Sequence, residues 1–310
     1  MIASIGEALI DFIPSNTAEG EEAYVPRPGG SPFNTAITCG RLEHPTLFLT
    51  KISTDFFGND LVGHLENNNV ATDYLYRDSQ PTTLAFVRKN DAGDAEYAFF
   101  MNDSADRLLS PEHFPKQLPD AVRCIQCGSI SLQVEPSGST IEQFVQANAG
   151  TRVIAYDPNV RPGLLSDEAA HRERVLRLIS LAGIVKISDV DLEWLYPGDT
   201  LEAAIDKVDT LGQSLTVVTR GPDGSEGRSR RARVSVPADT PPGGVKDTVG
   251  AGDSFHGALL TWLDREGYMD RTALAELDES NLRKALAFAS RVASITCSRH
   301  GAEPPRLSEL

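Results

Sequence analysis

Short apolar runs alternate with amphipathic segments along most of the chain. Apolar runs of the length and composition of buried strands cover residues 2–10, 46–52, 122–128, 152–157, 184–187 and 215–219. Segments in which apolar residues recur at helical spacing cover 32–42, 58–68, 137–148, 167–182, 255–263 and 281–297. Strands separated by helices pair in parallel, because each helix carries the chain back across the sheet. The pattern predicts an α/β fold with a central, mostly parallel sheet and helices on both faces.

Two segments interrupt this rhythm. Residues 12–28 are too polar and too rich in proline for a central strand. Residues 83–101 have the pattern of a β-hairpin, with a glycine in its turn at 91–94. We expect the two segments to form a small β-sheet that acts as a lid over one end of the main sheet. Residues 1–310 are therefore predicted to be a single domain, with a lid formed by about 12–28 and 83–101.

Residues 247–255, Asp-Thr-Val-Gly-Ala-Gly-Asp-Ser-Phe, combine a glycine turn, a carboxylate and the start of a helix. The first amides of a helix lack intrahelical partners and carry partial positive charge. Gly250 and Gly252 allow a ligand close to the backbone, so the turn is suited to an anion. Asp253 would repel a permanently bound phosphate, which suggests a base placed beside a phosphoryl group in transfer. The motif thus indicates phosphoryl transfer to a hydroxyl.

The motif has other interpretations. The glycine turn could be a simple helix start, with Asp253 as a partner of the helix dipole. A Walker A loop requires a Gly-Lys dipeptide, which the chain lacks. A dinucleotide-binding fingerprint would need a third glycine where Phe255 stands. Neither nucleotide motif fits.

The motif at 247–255 resembles the C-terminal signature of the ribokinase family of sugar kinases. Residues 29–36, Gly-Gly-Ser-Pro-Phe-Asn-Thr-Ala, resemble the N-terminal signature of the same family. The resemblance extends from Gly6 to about Pro305, and the segments 81–87 and 157–162 look most like bacterial fructokinases. It implies a ribokinase-like fold and transfer of the γ-phosphoryl group of ATP to a sugar, most simply D-fructose to fructose 6-phosphate.

The resemblance also implies where the sugar and the reacting groups lie. Asp253 would be the catalytic base, and the amides of Gly250, Ala251 and Gly252 would stabilise the moving charge. Asp11 follows an apolar run, at the strand end where open α/β sheets bind ligands. The expected sugar-binding residues are Asp11, Gly29, Gly30, Asn34 and Arg161.

The implied nucleotide and metal residues lie in later loops. The nucleotide-binding residues would be Ser188, Thr219, Arg220, Gly221 and Gly224. Ser188 and Asp191 stand where the family usually has Asn-x-x-Glu, so Asp191 would act on Mg²⁺ through water. Backbone groups near Asp247, Val249 and Gly301 would hold a monovalent cation, which is K⁺ in many relatives.

The charge balance limits the partners. The chain of 310 residues has a formal net charge of −15, which argues against nucleic acid as a partner. An anionic substrate then needs local cations, such as Arg161, Arg220 and a divalent metal. The short basic run at 228–233 is expected to be a solvated strand or turn. Without a signal-peptide pattern or a membrane-spanning run, the protein is expected in the cytoplasm.

Several alternatives stay open. Cys124 and Cys127 form a Cys-x-x-Cys in a strand-like run without a second pair, so free, buried thiols are expected.

Within the chemistry of phosphoryl transfer to a sugar, the alternative is a 2-keto-3-deoxygluconate kinase, which would use Arg107 or Arg161 for the substrate carboxylate. A non-catalytic sugar- or nucleotide-binding protein is a different class, and a dinucleotide oxidoreductase is a distant one. Two copies are expected to associate as a homodimer through the lid.

Overall fold

The computed structural model describes residues 1–89 and 95–310. The predicted hairpin turn at 91–94 lies outside the described residues. The strands are β1 Ile2–Ile5, β2 Leu9–Asn16, β3 Glu22–Gly29, β4 Thr46–Leu49, β5 Lys51–Ser53, β6 Val70–Ala71, β7 Tyr76–Asp78, β8 Thr83–Lys89, β9 Ala95–Phe100, β10 Cys124–Gly128, β11 Val153–Asp157, β12 Ile184–Ser188, β13 Leu215–Thr219, β14 Ser225–Ser229 and β15 Arg233–Val236. The α-helices are α1 Ser31–Arg41, α2 Phe56–Asn67, α3 Ser137–Asn148, α4 Glu168–Leu181, α5 Asp189–Leu195, α6 Leu201–Asp209, α7 Ala251–Arg265, α8 Arg271–Ala275 and α9 Glu279–Cys297. Within the described ranges, no helix is long and apolar enough to cross a bilayer.

A nine-stranded sheet forms the centre of the molecule, in the order β15-β14-β13-β12-β11-β10-β1-β4-β6. Its strands pair in parallel from β13 to β6, and β14 and β15 are antiparallel. Side chains of α3, α4, α5 and α6 pack on one face of this sheet. Those of α1, α7, α8 and α9 pack on the other. The predicted α/β architecture, a mostly parallel sheet covered on both faces, is confirmed.

A second, four-stranded sheet has the order β3-β2-β8-β9. It contains most of the two segments predicted to form the lid. Its side chains alternate between two faces, as in any strand. Leu9, Asp11 and Ile13 face a cleft, whereas Ile10 and Phe12 pack towards α2.

The single strand predicted at 2–10 is wrong, because the chain turns between β1 and β2. Gly6 has φ +149°, and a Cβ there would lie 2.5 Å from Pro32 Cγ. Both halves of the run are apolar, and Gly6 and Glu7 between them were the signs of this break. As a result Asp11 lies on the small sheet rather than at the end of a central strand. The run at 46–52 divides in the same way, and its second part, β5, pairs with β7.

The basic run at 228–233 is only partly solvated. Arg228 is 8% exposed, contrary to expectation. Its guanidinium pairs with carboxylates from α6 and from β14: Glu202, Asp206, Asp209 and Glu226. Arginine in a strand can be buried when its forked donors are satisfied in this way. The ion pairs of Arg228 therefore connect α6 to β14 of the main sheet.

The four cysteines are free, as expected, and three of them are buried. Cys124 and Cys127 lie within β10. Burial raises the pKa of Cys39 and of Cys127 to about 12. Such thiols are inert rather than redox-active.

Candidate active site

A cleft of about 730 Å³ lies between the small sheet and one edge of the main sheet. The small sheet contributes Leu9, Asp11, Val87, Tyr97 and Phe99 to its lining. The main sheet and its loops contribute Ser129, Asn159, Arg161, Lys186 and His300. The turn before α7 adds residues 245–250, and the start of α7 adds Gly252 and Asp253. A cleft at the carboxyl ends of parallel strands is where open α/β folds bind ligands. The two glycine motifs of the sequence therefore meet in one place.

Asp253 lies in the first turn of α7 and is held by two residues of α1. Ser31 Oγ donates to Asp253 Oδ1 at 2.6 Å, and Asn34 Nδ2 donates to Oδ2 at 2.9 Å. The residue is 8% exposed. Burial raises the pKa of Asp253, against the opposing effects of these two hydrogen bonds and of Lys186. A carboxylate with a raised pKa, fixed in direction, can accept a proton from a hydroxyl in the cleft.

The turn before α7 has the backbone geometry of an anion site. Gly250, the N-cap, has a left-handed φ of +74°, and a Cβ there would overlap Ala302 Cβ. Ala251 N donates to Thr248 O at 3.2 Å, so this predicted amide is used by the turn itself. The first bond within the helix runs from Ser254 N to Gly250 O at 2.8 Å. The amides of Gly252 and Asp253 come before that bond and are placed to meet an anion.

Asp11 and Gly29 lie beside each other on β2 and β3. A Cβ on Gly29 would overlap Asp11 Oδ2, so only glycine leaves room for the carboxylate. Burial raises the pKa of Asp11 to about 7, and Asp253 adds to the effect whereas Arg161 opposes it. The two carboxylates and Arg161 all line the cleft. Asp11 can accept hydrogen bonds from the hydroxyls of a ligand.

Gly30, Asn34 and Arg161, three of the residues predicted to bind sugar, also line the cleft. The side-chain amide of Asn34 donates a hydrogen bond to Asp253, so in this structure Asn34 orients that carboxylate. Arg161 is oriented by Asn159, whose Oδ1 accepts from Nη1 at 2.7 Å. Asn159 has a left-handed φ of +41°, which turns the loop after β11 into the cleft.

The predicted nucleotide-binding residues follow β12 and β13. Ser188 and Thr219 are neighbours in the register of these two strands, at their carboxyl ends. Arg220, Gly221 and Gly224 form the turn that follows, in which Arg220 N donates to Gly224 O at 2.8 Å. The cleft reaches Lys186 on β12. None of the five predicted nucleotide-binding residues lines the cleft itself.

The predicted metal residues offer no direct cage for a divalent ion. Asp191 Oδ1 accepts from Val160 N at 2.8 Å, and Oδ2 accepts from Ser188 Oγ at 2.7 Å. Asp191 is 6% exposed and does not line the cleft, so it would act on a metal there only through water. In the described part of the chain, no group of three His, Cys, Asp or Glu side chains could hold a metal. A divalent ion would therefore need ligands from a bound nucleotide.

Asp247 joins the glycine turn to the C-terminal loop. Its Oδ1 accepts from Val249 N at 3.1 Å, and its Oδ2 accepts from Gly301 N at 2.9 Å. The three residues predicted around a monovalent cation are therefore neighbours. Backbone carbonyls in such a loop suit a monovalent cation, and the carboxylate is already occupied by amides.

Sequence reasoning missed Glu7, Ser31 and Lys186. Glu7 is 2% exposed, and its two oxygens accept from Ser31 N and Ser131 N. Lys186 is 5% exposed and pairs with Asp157 of the neighbouring strand at 2.8 Å. A lysine inside the apolar run Ile-Val-Lys-Ile was a signal, because a strand buried on both faces seldom carries a charge. Glu7 gave the same signal inside the run 2–10, and Ser31 lies within the motif at 29–36.

The comparisons with known proteins agree with this geometry. The model of the pfkB family carbohydrate kinases matches residues 1–309. Fructokinase of Rhizobium leguminosarum bv. trifolii is 38% identical over 283 residues, which cover 91% of this chain and 86% of that protein. Fructokinase of Solanum tuberosum is 36% identical over 316 residues, with 98% and 92% covered. The solved structure of fructokinase from Xylella fastidiosa with bound ATP gives a TM-score of 0.88 at 28% identity, over 99% of this chain and 96% of that one.

Proposed function

This chain belongs to the pfkB family of carbohydrate kinases, and from that premise we propose that it transfers the γ-phosphoryl group of ATP to D-fructose, giving fructose 6-phosphate. The family match covers nearly the whole chain, which confirms the resemblance drawn from the two glycine motifs. The protein is accordingly a phosphotransferase with a sugar acceptor. Fructose is supported by the names of relatives at 34–38% identity.

The observation that carries the proposal is Asp253 beside the amide turn that begins α7. Ser31 and Asn34 fix both carboxylate oxygens, so the base points into the cleft. It would take the proton of the sugar hydroxyl while the amides of Gly252 and Asp253 meet the negative charge of the phosphoryl group. Asp11 would accept a sugar hydroxyl, and Arg161 would provide positive charge. Mg²⁺ bound to the ATP phosphates would reduce their repulsion of the attacking oxygen.

The runner-up substrate, 2-keto-3-deoxygluconate, is less well supported. Its carboxylate would need a cation, and Arg107 donates instead to Glu135 O and Asn102 Oδ1. Arg161 alone of the two lines the cleft. The curated relatives are named for fructose. We therefore place fructose first.

A panel of acceptors tests this proposal. Purified protein with MgATP is assayed by coupled ADP release on fructose, tagatose, ribose, 2-keto-3-deoxygluconate and adenosine. A second coupling, through phosphoglucose isomerase and glucose 6-phosphate dehydrogenase, responds to fructose 6-phosphate. We expect the highest kcat/KM for fructose and a signal in both assays. A higher value for another acceptor would replace fructose, and ADP release without the second signal would contradict transfer to the 6-hydroxyl.

We also propose that the small sheet is a lid and that two copies associate through it. On the face away from the cleft, the ring of Phe86 contacts one aromatic ring from each of the other three strands: Tyr24, Phe12 and Phe100. Tyr24 is 45% exposed and Phe100 is 63% exposed, which is unusual for large apolar side chains. A second copy would cover them. A cytoplasmic location is part of the same proposal, since ATP is the phosphoryl donor.

A further inference from the structure

One buried cation faces the glycine turn and has no role in the mechanism given so far. Lys186 lies in the middle of β12, and its Nζ is 2.8 Å from Asp157 Oδ2 on β11. Asp157 is 1% exposed. Taking both charges out of water costs several kcal/mol per ion in general, so an apolar pair would be an easier way to fill this space. The pair therefore calls for an explanation other than stability.

Lys186 is the charged cation of this group. Burial opposes its charge, but Asp157 outweighs this effect and raises the pKa of Lys186 above its ordinary value. His256 of α7 lies 3.9 Å from the same Asp157 oxygen and is fully buried. Burial lowers the pKa of His256 to about 3, so this ring stays neutral. The positive charge beside Asp157 is thus that of Lys186.

The ammonium also lies against the turn that would receive the phosphoryl group. A Cβ added to Gly252 would be 3.2 Å from Lys186 Nζ. Lys186 lines the same cleft as Gly252 and Asp253. Within the described residues, Nζ makes one hydrogen bond, to Asp157, whereas an ammonium has three donors. Asp157 therefore holds the cation from behind and leaves donors for a ligand at the turn.

We propose that Lys186 is a further catalytic residue, whose ammonium contacts the γ-phosphoryl group during transfer, and that Asp157 is its positioning residue. The inference rests on the proposed function. In the transfer step the sugar hydroxyl oxygen forms a bond to the γ-phosphorus, and its proton passes to Asp253. The bond from that phosphorus to the bridging oxygen breaks, and ADP leaves with the electron pair. Lys186 and the amides of the turn stabilise the negative charge on the three non-bridging oxygens of the γ-phosphoryl group.

Turnover of matched variants tests the role of Lys186. Lys186→Met should lower kcat by on the order of 10²- to 10³-fold, the usual effect of removing one donor to a developing charge. The KM for the sugar should change little. Lys51 is the control, because it is also buried and pairs with Asp78 at 3.0 Å, outside the cleft lining. Lys51→Met should keep kcat within about threefold.

The double variant Lys186→Met/Asp157→Asn separates catalysis from structure. It removes the uncompensated carboxylate, so it should fold where Lys186→Met alone is too unstable to purify. If Lys186 contacts the phosphoryl group, the double variant stays at least 10²-fold slow. If Lys186 serves only to neutralise Asp157, the double variant regains most of the wild-type kcat, and the proposal is overturned.

Binding of a phosphoryl analogue gives an answer that does not depend on the sugar. MgADP is titrated by calorimetry with and without aluminium fluoride, which imitates the phosphoryl group in transfer. Lys186→Met should bind MgADP with wild-type affinity but lose the gain that fluoride gives. An unchanged gain would overturn the proposal. If the wild type uses a sugar other than fructose, the proposed substrate fails, and the kinetic comparison is made with that sugar.

Discussion

Replacing Asp11 by asparagine should stabilise the empty protein at pH 8 and weaken sugar binding at the same time. Burial, with Asp253 nearby, raises the pKa of Asp11 from 3.8 to about 7. The folded protein therefore binds this proton more tightly than the unfolded chain does. Stability contributed by the group is highest below about pH 4 and falls as the pH rises towards 7. The difference between a pKa of 3.8 and one of about 7 corresponds to about 4 kcal/mol at pH 8.

The measurable gain should be smaller, because the side chain keeps some contact with water and the amide must also be desolvated. We expect Asp11→Asn to raise the free energy of unfolding by about 1–2 kcal/mol at pH 8, and by clearly less at pH 5. Urea unfolding at both pH values measures this, with the exposed Asp73→Asn as control. The kcat/KM for fructose should fall. Equal effects of Asp11→Asn at the two pH values would refute the reasoning.

Two further predictions concern loops and the lid. K⁺ should raise activity several-fold over Na⁺ at matched ionic strength, since Asp247 ties Val249 and Gly301 into one loop that a cation would order. Equal rates in the two salts would show that a bound monovalent cation does not contribute to activity. Fructose should protect the amides of 12–28 and 83–101 from hydrogen exchange, whereas ATP alone should protect mainly 219–224 and 250–253. Normal turnover without protection of the two lid segments would show that they are peripheral strands.

The fold was largely predictable because its strands are short, apolar and separated by helices. β10, β11, β12 and β13 lie within about two residues of their predicted positions. The errors lie where one apolar run contains two strands. β1 and β2 are divided by the turn at Gly6, and hydrophobicity cannot register a backbone turn between two buried segments. Gly6 and Glu7 within the run were the available signs of that break.

The motifs at 247–255 and 29–36 could be found in the sequence because each is contiguous, and the structure brings both to one cleft. The contacts between the two motifs were not predictable, because they depend on how α1 packs against α7. The role of Asn34 shows this, since its amide is directed to Asp253. The burial of Arg228 was not predictable either. It depends on ion pairs with carboxylates of α6, which are distant in sequence.

The central claim is that Asp253 removes the proton of the sugar hydroxyl, and one substitution tests it most directly. Asp253→Asn keeps the shape of the side chain but cannot accept that proton. We expect a normal fold, MgATP affinity within a few-fold of wild type, and a fall in kcat with fructose of on the order of 10²-fold or more. Turnover close to the wild-type rate would contradict the account, because Asp253 would then be a partner of the α7 dipole and the base would lie elsewhere.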